Sequence, residues 1–328
     1  RASLIDPNRS VRNPELYNET AFAIQKAVVD VYDYLFDMIN GKHKLIQSKW
    51  LSRKVFNTTA NVLSSYVDRF DGIDDPRRIY YNECRVGLYQ FTRSAAPITH
   101  KALRSKYIPE IFPEGSNTAF LTDSKTLERV EIPIRGIQKD VDLWTTNDGI
   151  DKVFAMLGNM DILNKEVVFG EKGKDGRKFY LGLLYRDDKV FKFFQDIREL
   201  PEGFSKDNVK PITIYDFIYI SLYALSGKYI GLITRYPITG YGSIYPAYVK
   251  LGTTVETEIL RELDWQWTPY VDDDYVAINM PVHESGYVST LTLHPSHLGA
   301  LGADFDGDVG HLKMTLSEEA NEEASKLL

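Results

Sequence analysis

Three aspartates stand at alternate positions in the stretch LGADFDGDVGH, residues 301 to 311, and this spacing constrains the local fold more than any other feature of the chain. Asp304, Asp306 and Asp308 repel one another, so the chain must expose them to water or hold a cation among them. In an extended segment alternate side chains face the same way, and Gly307 permits a tight turn. The carboxylates are therefore expected to converge on a hard divalent cation in a loop.

Two other structures also place several aspartates close together: an EF-hand loop and an acidic surface turn. An EF-hand loop beginning at Asp304 would need glycine at its sixth position and glutamate at its twelfth, where the chain has Val309 and Thr315. The EF-hand is therefore excluded. An acidic Asp-Gly turn at the surface, without any ion, fits these residues as well as a metal site does, so the two interpretations stay open on the stretch alone.

The composition describes a folded protein with a sizeable core. The chain has 328 residues, of which 43% are hydrophobic. Its single cysteine, Cys84, excludes an intramolecular disulfide and a four-thiolate zinc site, which favours a reducing compartment. No apolar run approaches the roughly 20 residues that cross a bilayer, so we expect a soluble protein.

A local excess of positive charge stands out against the formal net charge of −7. The segment GKHKLIQSKWLSRK, residues 41 to 54, contains no acidic residue and five of the chain's lysines and arginines: Lys42, Lys44, Lys49, Arg53 and Lys54. Such a segment is either a solvated basic face or a strip that contacts nucleic-acid phosphates.

Hydrophobic periodicity predicts the main elements. Residues 13 to 40 carry apolar side chains at helical spacing and predict a long helix. Residues 106 to 210 carry hairpin signals, in GEKGKDGRKFY and YRDDKVFKFF, and predict a β-rich module. Residues 213 to 226 predict a buried helix, and strand-like segments follow it. The expected class is α+β.

Two further polar clusters, three consecutive aspartates and a pair of histidines, are better explained by structural roles than by metal binding. The consecutive residues Asp272, Asp273 and Asp274 point in divergent directions, which favours a solvated loop over a metal site. His294 and His297 have no matching cysteines or second histidine pair. A structural role, or a place as polar neighbours of the aspartate site, is therefore favoured over zinc ligation.

The run LHPSHLGALGADFDGDVGHLKMTLSEEANEEA, residues 293 to 324, resembles the active-centre segment of the largest, beta-prime-type subunit of multi-subunit RNA polymerases. The signature of that family is Asn-Ala-Asp-Phe-Asp-Gly-Asp. Residues 303 to 308 reproduce all of it except the leading asparagine, whose position holds Gly302.

Two upstream segments resemble the same family in the same order. LFDMINGKHKLIQSKWLSRKVFNTTANVL, residues 35 to 63, resembles the segment through the family's Gly-Lys-Arg-Val and Gly-Arg-Ser-Val-Ile motifs. LITRYPITGYG, residues 232 to 242, resembles Asn-Arg-x-Pro-Thr-Leu-His and keeps Arg235 and Pro237. Three motifs in the family's order are far more specific than one.

The resemblance implies a fold and a reaction. The core would be a double-psi β-barrel, with a long N-terminal helix and a β-rich insertion. The chain would form part of a DNA-dependent RNA polymerase, a nucleotidyltransferase that adds ribonucleotides to the RNA 3′ end on a DNA template. Asp304, Asp306 and Asp308 would hold one Mg²⁺, and a second Mg²⁺ would arrive with the nucleotide. Arg235 would contact the ribose, and Lys54 with its basic neighbours would contact template or hybrid phosphates.

The resemblance also implies partners and a location. A beta-type subunit and the remaining beta-prime piece would complete the enzyme, whose other ligands are DNA template, RNA product and nucleoside triphosphates. A divergent split subunit resembles the multi-subunit polymerases of large bacteriophages, which implies the cytoplasm of the infected bacterium, with the virion as an additional location. The implied domains are residues 1 to 105 (helix, basic strip and first part of the barrel), 106 to 210 (lineage-specific insertion) and 211 to 328 (remainder of the barrel with the aspartate loop).

The chain departs from the family at three motif positions. Gly302 replaces asparagine, Gly240 replaces histidine, and Ala60 replaces the arginine of Gly-Arg-Ser-Val, so sugar selection and template contact would use other residues.

Two rival functions stay open. One is that of a single-chain polymerase relative, which should carry a second barrel in the same chain. The other is a non-catalytic, metal-stabilised interaction module, which would tolerate loss of the aspartates.

Overall fold

The computed structural model describes most of the chain, and all structural statements below concern that part. The described residues are 14–41, 44–46, 55–65, 72, 75–162, 164–170, 178–236, 238, 241–281 and 285–328. They divide into two units, one reaching to Phe56 and one starting at Asn57.

Nine α-helices and fifteen β-strands lie within these residues. The helices are α1 (Pro14–Ile39), α2 (Leu88–Ser94), α3 (Ala96–Lys106), α4 (Ile108–Ile111), α5 (Gln138–Thr145), α6 (Asn147–Met156), α7 (Ile214–Leu222), α8 (Leu298–Leu301) and α9 (Glu318–Ser325). The strands are β1 (Thr58–Ser64), β2 (Glu83–Val86), β3 (Thr118–Asp123), β4 (Arg129–Pro133), β5 (Val168–Phe169), β6 (Phe179–Tyr180), β7 (Leu183–Arg186), β8 (Val190–Phe194), β9 (Val209–Pro211), β10 (Ile230–Thr234), β11 (Ile244–Leu251), β12 (Leu260–Glu262), β13 (Val276–Ala277), β14 (Leu291–Leu293) and β15 (Val309–Met314).

The predicted long helix is confirmed as α1. Pro14 occupies its first position, where a missing N–H leaves no hydrogen bond unmade, and Glu15 lies in the first turn, where a negative charge is favourable. Val28 and Val31 on its apolar positions are 62% and 58% exposed. The periodicity therefore predicted the helix correctly, although these apolar side chains stay in contact with solvent.

Six strands close into a barrel in the order β1-β14-β2-β11-β10-β15. β1 with β14 and β2 with β11 are parallel pairs, and the other neighbours are antiparallel. Every barrel strand keeps equivalent neighbours when the first three barrel strands, β1, β2 and β10, are exchanged one for one with the last three, β11, β14 and β15. The predicted α+β class and a barrel core are thus confirmed.

Two open sheets are formed by strands that lie between barrel strands in the chain. Their strand orders are β13-β12-β8-β7-β9 and β4-β3-β6-β5. Both predicted hairpins are confirmed in their strands, because β5 pairs with β6 and β7 pairs with β8, each antiparallel. The Lys-Asp-Gly turn itself lies outside the described residues. Residues 106 to 210 also contain α4, α5 and α6, so helices share this β-rich region, and its status as a separate domain stays a prediction.

The predicted buried helix is confirmed as α7, in which all nine residues are buried. Its N-cap is Thr213, whose hydroxyl oxygen accepts a hydrogen bond from the Asp216 backbone N–H at 3.1 Å. Phe217 of this helix contacts Trp144 edge-on, with ring centroids 5.2 Å apart. Among the described residues, no helix combines the length and the apolar character that a membrane crossing needs.

A buried carboxylate joins β12 to the helices beside it. Glu262 forms an ion pair with the Lys106 ammonium at 2.8 Å and accepts a hydrogen bond from the Tyr107 hydroxyl at 2.6 Å. The hydroxyl of Tyr223 also donates to it. Burial lowers the pKa of the Lys106 ammonium, and the negative charge of Glu262 acts in the opposite direction. The carboxylate therefore accepts from three donors, of which the Lys106 ammonium also donates to the Ile220 carbonyl at 3.2 Å.

We expect Glu262→Ala to lower the free energy of unfolding by about 3 kcal/mol, because it leaves a largely buried ammonium and two hydroxyls without this acceptor. Urea unfolding measures the change. Glu202→Ala, at an exposed turn position, is the matched control and should stay within about 0.5 kcal/mol of the parent. Equal stability of the two variants would contradict the role assigned to Glu262.

Candidate metal centre at the aspartate loop

Two glycines shape the loop that carries the aspartates. Gly302 ends α8 in the left-handed conformation with φ +57°, and Gly307 adopts φ +116°. The backbone N–H of Ala303 donates to the carbonyl of Leu298 at 2.9 Å, which closes the last helical turn. Both positions favour glycine because a side chain strains the backbone at positive φ. The loop thus turns sharply between α8 and β15.

The barrel anchors the end of this loop. β15 pairs antiparallel with β1, and the pairing extends one step beyond Val309, because the Leu63 backbone N–H donates to the Asp308 carbonyl at 2.8 Å. Leu63 is buried in the barrel core. The backbone of Asp308 is therefore held by the barrel wall.

The three aspartates lie together, as their alternate spacing predicted. One carboxylate oxygen from each of Asp304, Asp306 and Asp308 lies within 4.8 Å of the others. Asp304 and Asp306 are exposed, and Asp308 is half-buried. The convergence is confirmed, and a bound metal stays a prediction.

Arg235 reaches the same site from the neighbouring strand. β10 runs antiparallel to β15 with Thr234 opposite His311, so the residue after β10 lies beside the residues before β15. The Arg235 guanidinium forms a two-pronged contact, with Nε 2.6 Å from Asp308 Oδ2 and Nη2 3.0 Å from Asp308 Oδ1. These residues are 73 positions apart. No local sequence signal indicates such a pair, and the sequence analysis missed it.

The charges around the site shift the pKa of the carboxyl groups in opposite directions. Hydrogen bonding to the Arg235 guanidinium lowers the pKa of Asp308. A hydrogen bond with Asp304, followed by its negative charge, raises the pKa of Asp306. Arg235 thus compensates the charge of Asp308, whereas Asp304 and Asp306 repel each other, and a cation between them would relieve that repulsion.

The donor set fits a hard divalent cation. Among the described residues, Asp308 Oδ2 accepts from Arg235 Nε and from the Asp304 backbone N–H, and Oδ1 accepts from Arg235 Nη2. The Asp304 side chain also lies against this carboxylate. A carboxylate has about four lone-pair sites, so these three N–H donors leave one of them. In octahedral coordination, oxygens on opposite sides of Mg²⁺ are about 4 Å apart and neighbouring oxygens about 3 Å, so the carboxylates would close around the ion. The spacing also suits Ca²⁺, and geometry alone leaves the ion unspecified.

Exposed apolar side chains accompany the carboxylates. Phe305 within the loop is 42% exposed, and Val309 directly after it is 39% exposed. Val62 is the partner of Val309 on β1 and is exposed as well. Tyr236, next to Arg235, is exposed and contacts the His311 ring edge-on at 5.6 Å. These four exposed apolar side chains, called the apolar rim below, are Val62, Tyr236, Phe305 and Val309.

Of the five basic residues in the segment 41 to 54, the structure describes Lys44. Lys44 forms an ion pair with Asp37 at 2.9 Å. Lys42, Lys49, Arg53 and Lys54 lie outside the described residues, as does Gly240. Ala60, where the family has arginine, lies within β1 opposite His311. The predicted nucleic-acid contacts therefore stay predictions.

The other polar clusters have structural contacts. His297 Nε2 lies 2.7 Å from the Tyr81 carbonyl, and its ring stacks on Tyr245 with centroids 3.6 Å apart. Burial lowers the pKa of His297, which favours the neutral ring. In the second cluster, Asp273 pairs with Arg261 at 3.3 Å, and Asp274 pairs with Lys228 at 2.8 Å. These contacts agree with the structural interpretation of both clusters.

Comparison of the sequence with protein-family models found no match, and comparison with curated proteins found none. The likeness to the polymerase family therefore depends on the quoted motifs. The geometry of the aspartate loop can be tested independently of that likeness.

We expect the chain to bind one divalent cation at the three aspartates and Asp306→Ala to weaken this binding at least about tenfold, because one of three charged ligands is lost. Titration with Mn²⁺, followed by electron paramagnetic resonance of the free ion, measures the affinity. Asp188→Ala, an exposed aspartate in the β7–β8 turn, is the control and should bind as the parent does. Equal affinities of the two variants would show that the ion binds elsewhere or not at all.

We expect Gly302→Asn to be tolerated within about 1 kcal/mol, because asparagine adopts left-handed φ more readily than most residues. The atom nearest to an added Cβ is Arg235 Nη1 at 3.8 Å, an ordinary contact. Gly302→Val should cost about 2 kcal/mol more, because a β-branched residue is strained there. Urea unfolding compares the two, and an equal loss would contradict the left-handed turn.

Proposed function

We propose that this chain is the active-centre part of the catalytic, beta-prime-type subunit of a DNA-dependent RNA polymerase. The observation that carries the proposal is the convergence of Asp304, Asp306 and Asp308 at the edge of a six-stranded barrel, within a segment that reproduces most of the family's signature. Neither feature alone distinguishes a polymerase from a metal-binding turn. Their coincidence is what supports nucleotidyl transfer.

The barrel is, in this proposal, of the double-psi kind. Every barrel strand keeps equivalent neighbours when the two halves are exchanged, and the parallel pair of β1 and β14 then becomes the parallel pair of β11 and β2. Two interlocked, equivalent halves are the hallmark of a double-psi barrel. The strand order therefore supports this assignment.

The ion in this proposal is Mg²⁺, held by oxygen ligands from the three aspartates. When bound, Mg²⁺ would favour the ionised form of the RNA 3′-hydroxyl and neutralise charge on the α-phosphate, with a second Mg²⁺ brought by the nucleotide. The chain itself supplies ligands and orientation. The barrel holds Asp308 through its backbone and through Arg235, while Asp304 and Asp306 present exposed carboxylates. No nucleophile from the protein is needed.

The complete enzyme, as proposed, contains a beta-type subunit, the remaining beta-prime piece, DNA template, RNA and nucleoside triphosphates. The apolar rim beside the aspartates supports an incomplete site, because exposed apolar groups around a charged centre are usually covered in an assembly. In this proposal, which follows the resemblance to split bacteriophage subunits, the enzyme works in the infected bacterial cytoplasm, with the virion as a second location.

We expect Asp306→Ala to reduce RNA primer extension on an RNA–DNA hybrid scaffold by a factor on the order of 10³, because metal-ion stabilisation of the transition state is lost. The assay uses the complete complex purified through this chain, with Mg²⁺ present. Size-exclusion chromatography must show that the mutant complex still assembles.

Asp188→Ala is the control and should extend RNA at the parent rate. Undiminished extension by an assembled Asp306→Ala complex would contradict the catalytic role of the loop. Absence of Mg²⁺-dependent extension by the parent complex would instead favour the metal-stabilised interaction module.

A further inference from the structure

We propose that Arg235 is a positioning residue for the metal centre, which holds the Asp308 carboxylate in the orientation that binds the ion. This inference rests on the proposed metal site and adds a role to the ribose contact that the resemblance implies for Arg235. The contact between Arg235 and Asp308 would orient the carboxylate before an ion or a nucleotide binds.

The geometry of the contact is specific. Nε and Nη2 of Arg235 each meet a different oxygen of Asp308, at 2.6 Å and 3.0 Å. A planar guanidinium that binds both oxygens fixes the plane of the carboxylate, which a single point charge does not. Both side chains are largely shielded from water, with 26% exposure for Arg235 and 18% for Asp308. Solvent therefore competes less for this pair than for a fully exposed one.

The contact also selects which oxygen of Asp308 remains available. Oδ2 is occupied by Arg235 Nε and by the Asp304 backbone N–H, so its two lone-pair sites are used. Oδ1 accepts from one N–H donor, Arg235 Nη2, and the Asp304 side chain lies against the same carboxylate. Of the two oxygens, Oδ1 therefore meets fewer N–H donors and is the atom that the inference assigns to the ion. The backbone bond to Asp304 joins the first and last aspartates of the loop in the same arrangement.

Arg235 keeps donors for a second contact. A guanidinium has five N–H donors, and two of them serve Asp308, so three remain. Its pairing with Asp308 is therefore compatible with a hydrogen bond to a nucleotide sugar. The same side chain would then touch both the metal ligand and the substrate, which makes its position important for both.

Arg235→Lys tests this role because lysine keeps the positive charge and loses the two-pronged geometry. We expect the Mn²⁺ dissociation constant of the full chain to rise about tenfold, since loss of a residue that orients a metal ligand costs 10- to 100-fold in affinity. If Arg235 acts only through its charge, the lysine variant will bind Mn²⁺ within about twofold of the parent. Unchanged or tighter binding would overturn the inference.

A double-mutant cycle with Asp308→Ala separates positioning from a general structural role. Once Asp308 is absent, Arg235→Lys should change the Mn²⁺ affinity by less than about twofold, because the carboxylate that it orients is gone. A tenfold loss in both backgrounds would mean that the substitution acts by another route, including loss of the fold, and would also overturn the inference.

The metal site and the role of Arg235 can fail separately. If Asp306→Ala does not weaken Mn²⁺ binding, the metal site is wrong and both proposals fall. If Asp306→Ala weakens binding and Arg235→Lys does not, only the positioning role is wrong.

Discussion

The double pairing of β15 is the constraint on which the site depends. One edge of this strand pairs with β1 and the other with β10, and these contacts are part of what closes the barrel. The same pairing brings Leu63 to the Asp308 carbonyl and Arg235 to the Asp308 carboxylate. Asp308 is therefore held from both neighbouring strands, and the loop before it projects from a rigid element. Such support is what a metal centre needs if its ligands are to be in place before the ion arrives.

Electrostatic repulsion among the three carboxylates is the reason why this loop could bind a cation. Three carboxylates at short range repel one another, and a single guanidinium compensates only part of that charge. The contact with Arg235 favours the ionised form of Asp308, while Asp304 makes ionisation of Asp306 harder. A divalent cation among the three oxygens would remove the remaining repulsion. In the proposed polymerase, the exposed apolar rim would be covered by a partner subunit or nucleic acid.

Several elements followed from local patterns. Helical periodicity after Pro14 predicted α1, an apolar run of helical length predicted α7, and turn signals predicted the β7–β8 hairpin. These succeeded because they depend on residues close together in the chain. The helices α4, α5 and α6 within the β-rich region were not predicted. They are 4, 8 and 10 residues long, and so short a segment leaves little room for periodicity to show.

The sequence by itself determined that three carboxylates would converge in a glycine-containing loop, because their alternate spacing and Gly307 lie within a few residues of one another. Its motifs also pointed to a polymerase-like active centre. Only the tertiary structure decided that Arg235 would hold Asp308, since 73 residues separate the two and only the pairing of β10 with β15 brings them together. The closed strand order of the barrel was likewise decided by long-range pairing. Local residues specify a turn or a helix, whereas the contacts between distant strands depend on how the whole chain buries its apolar side chains.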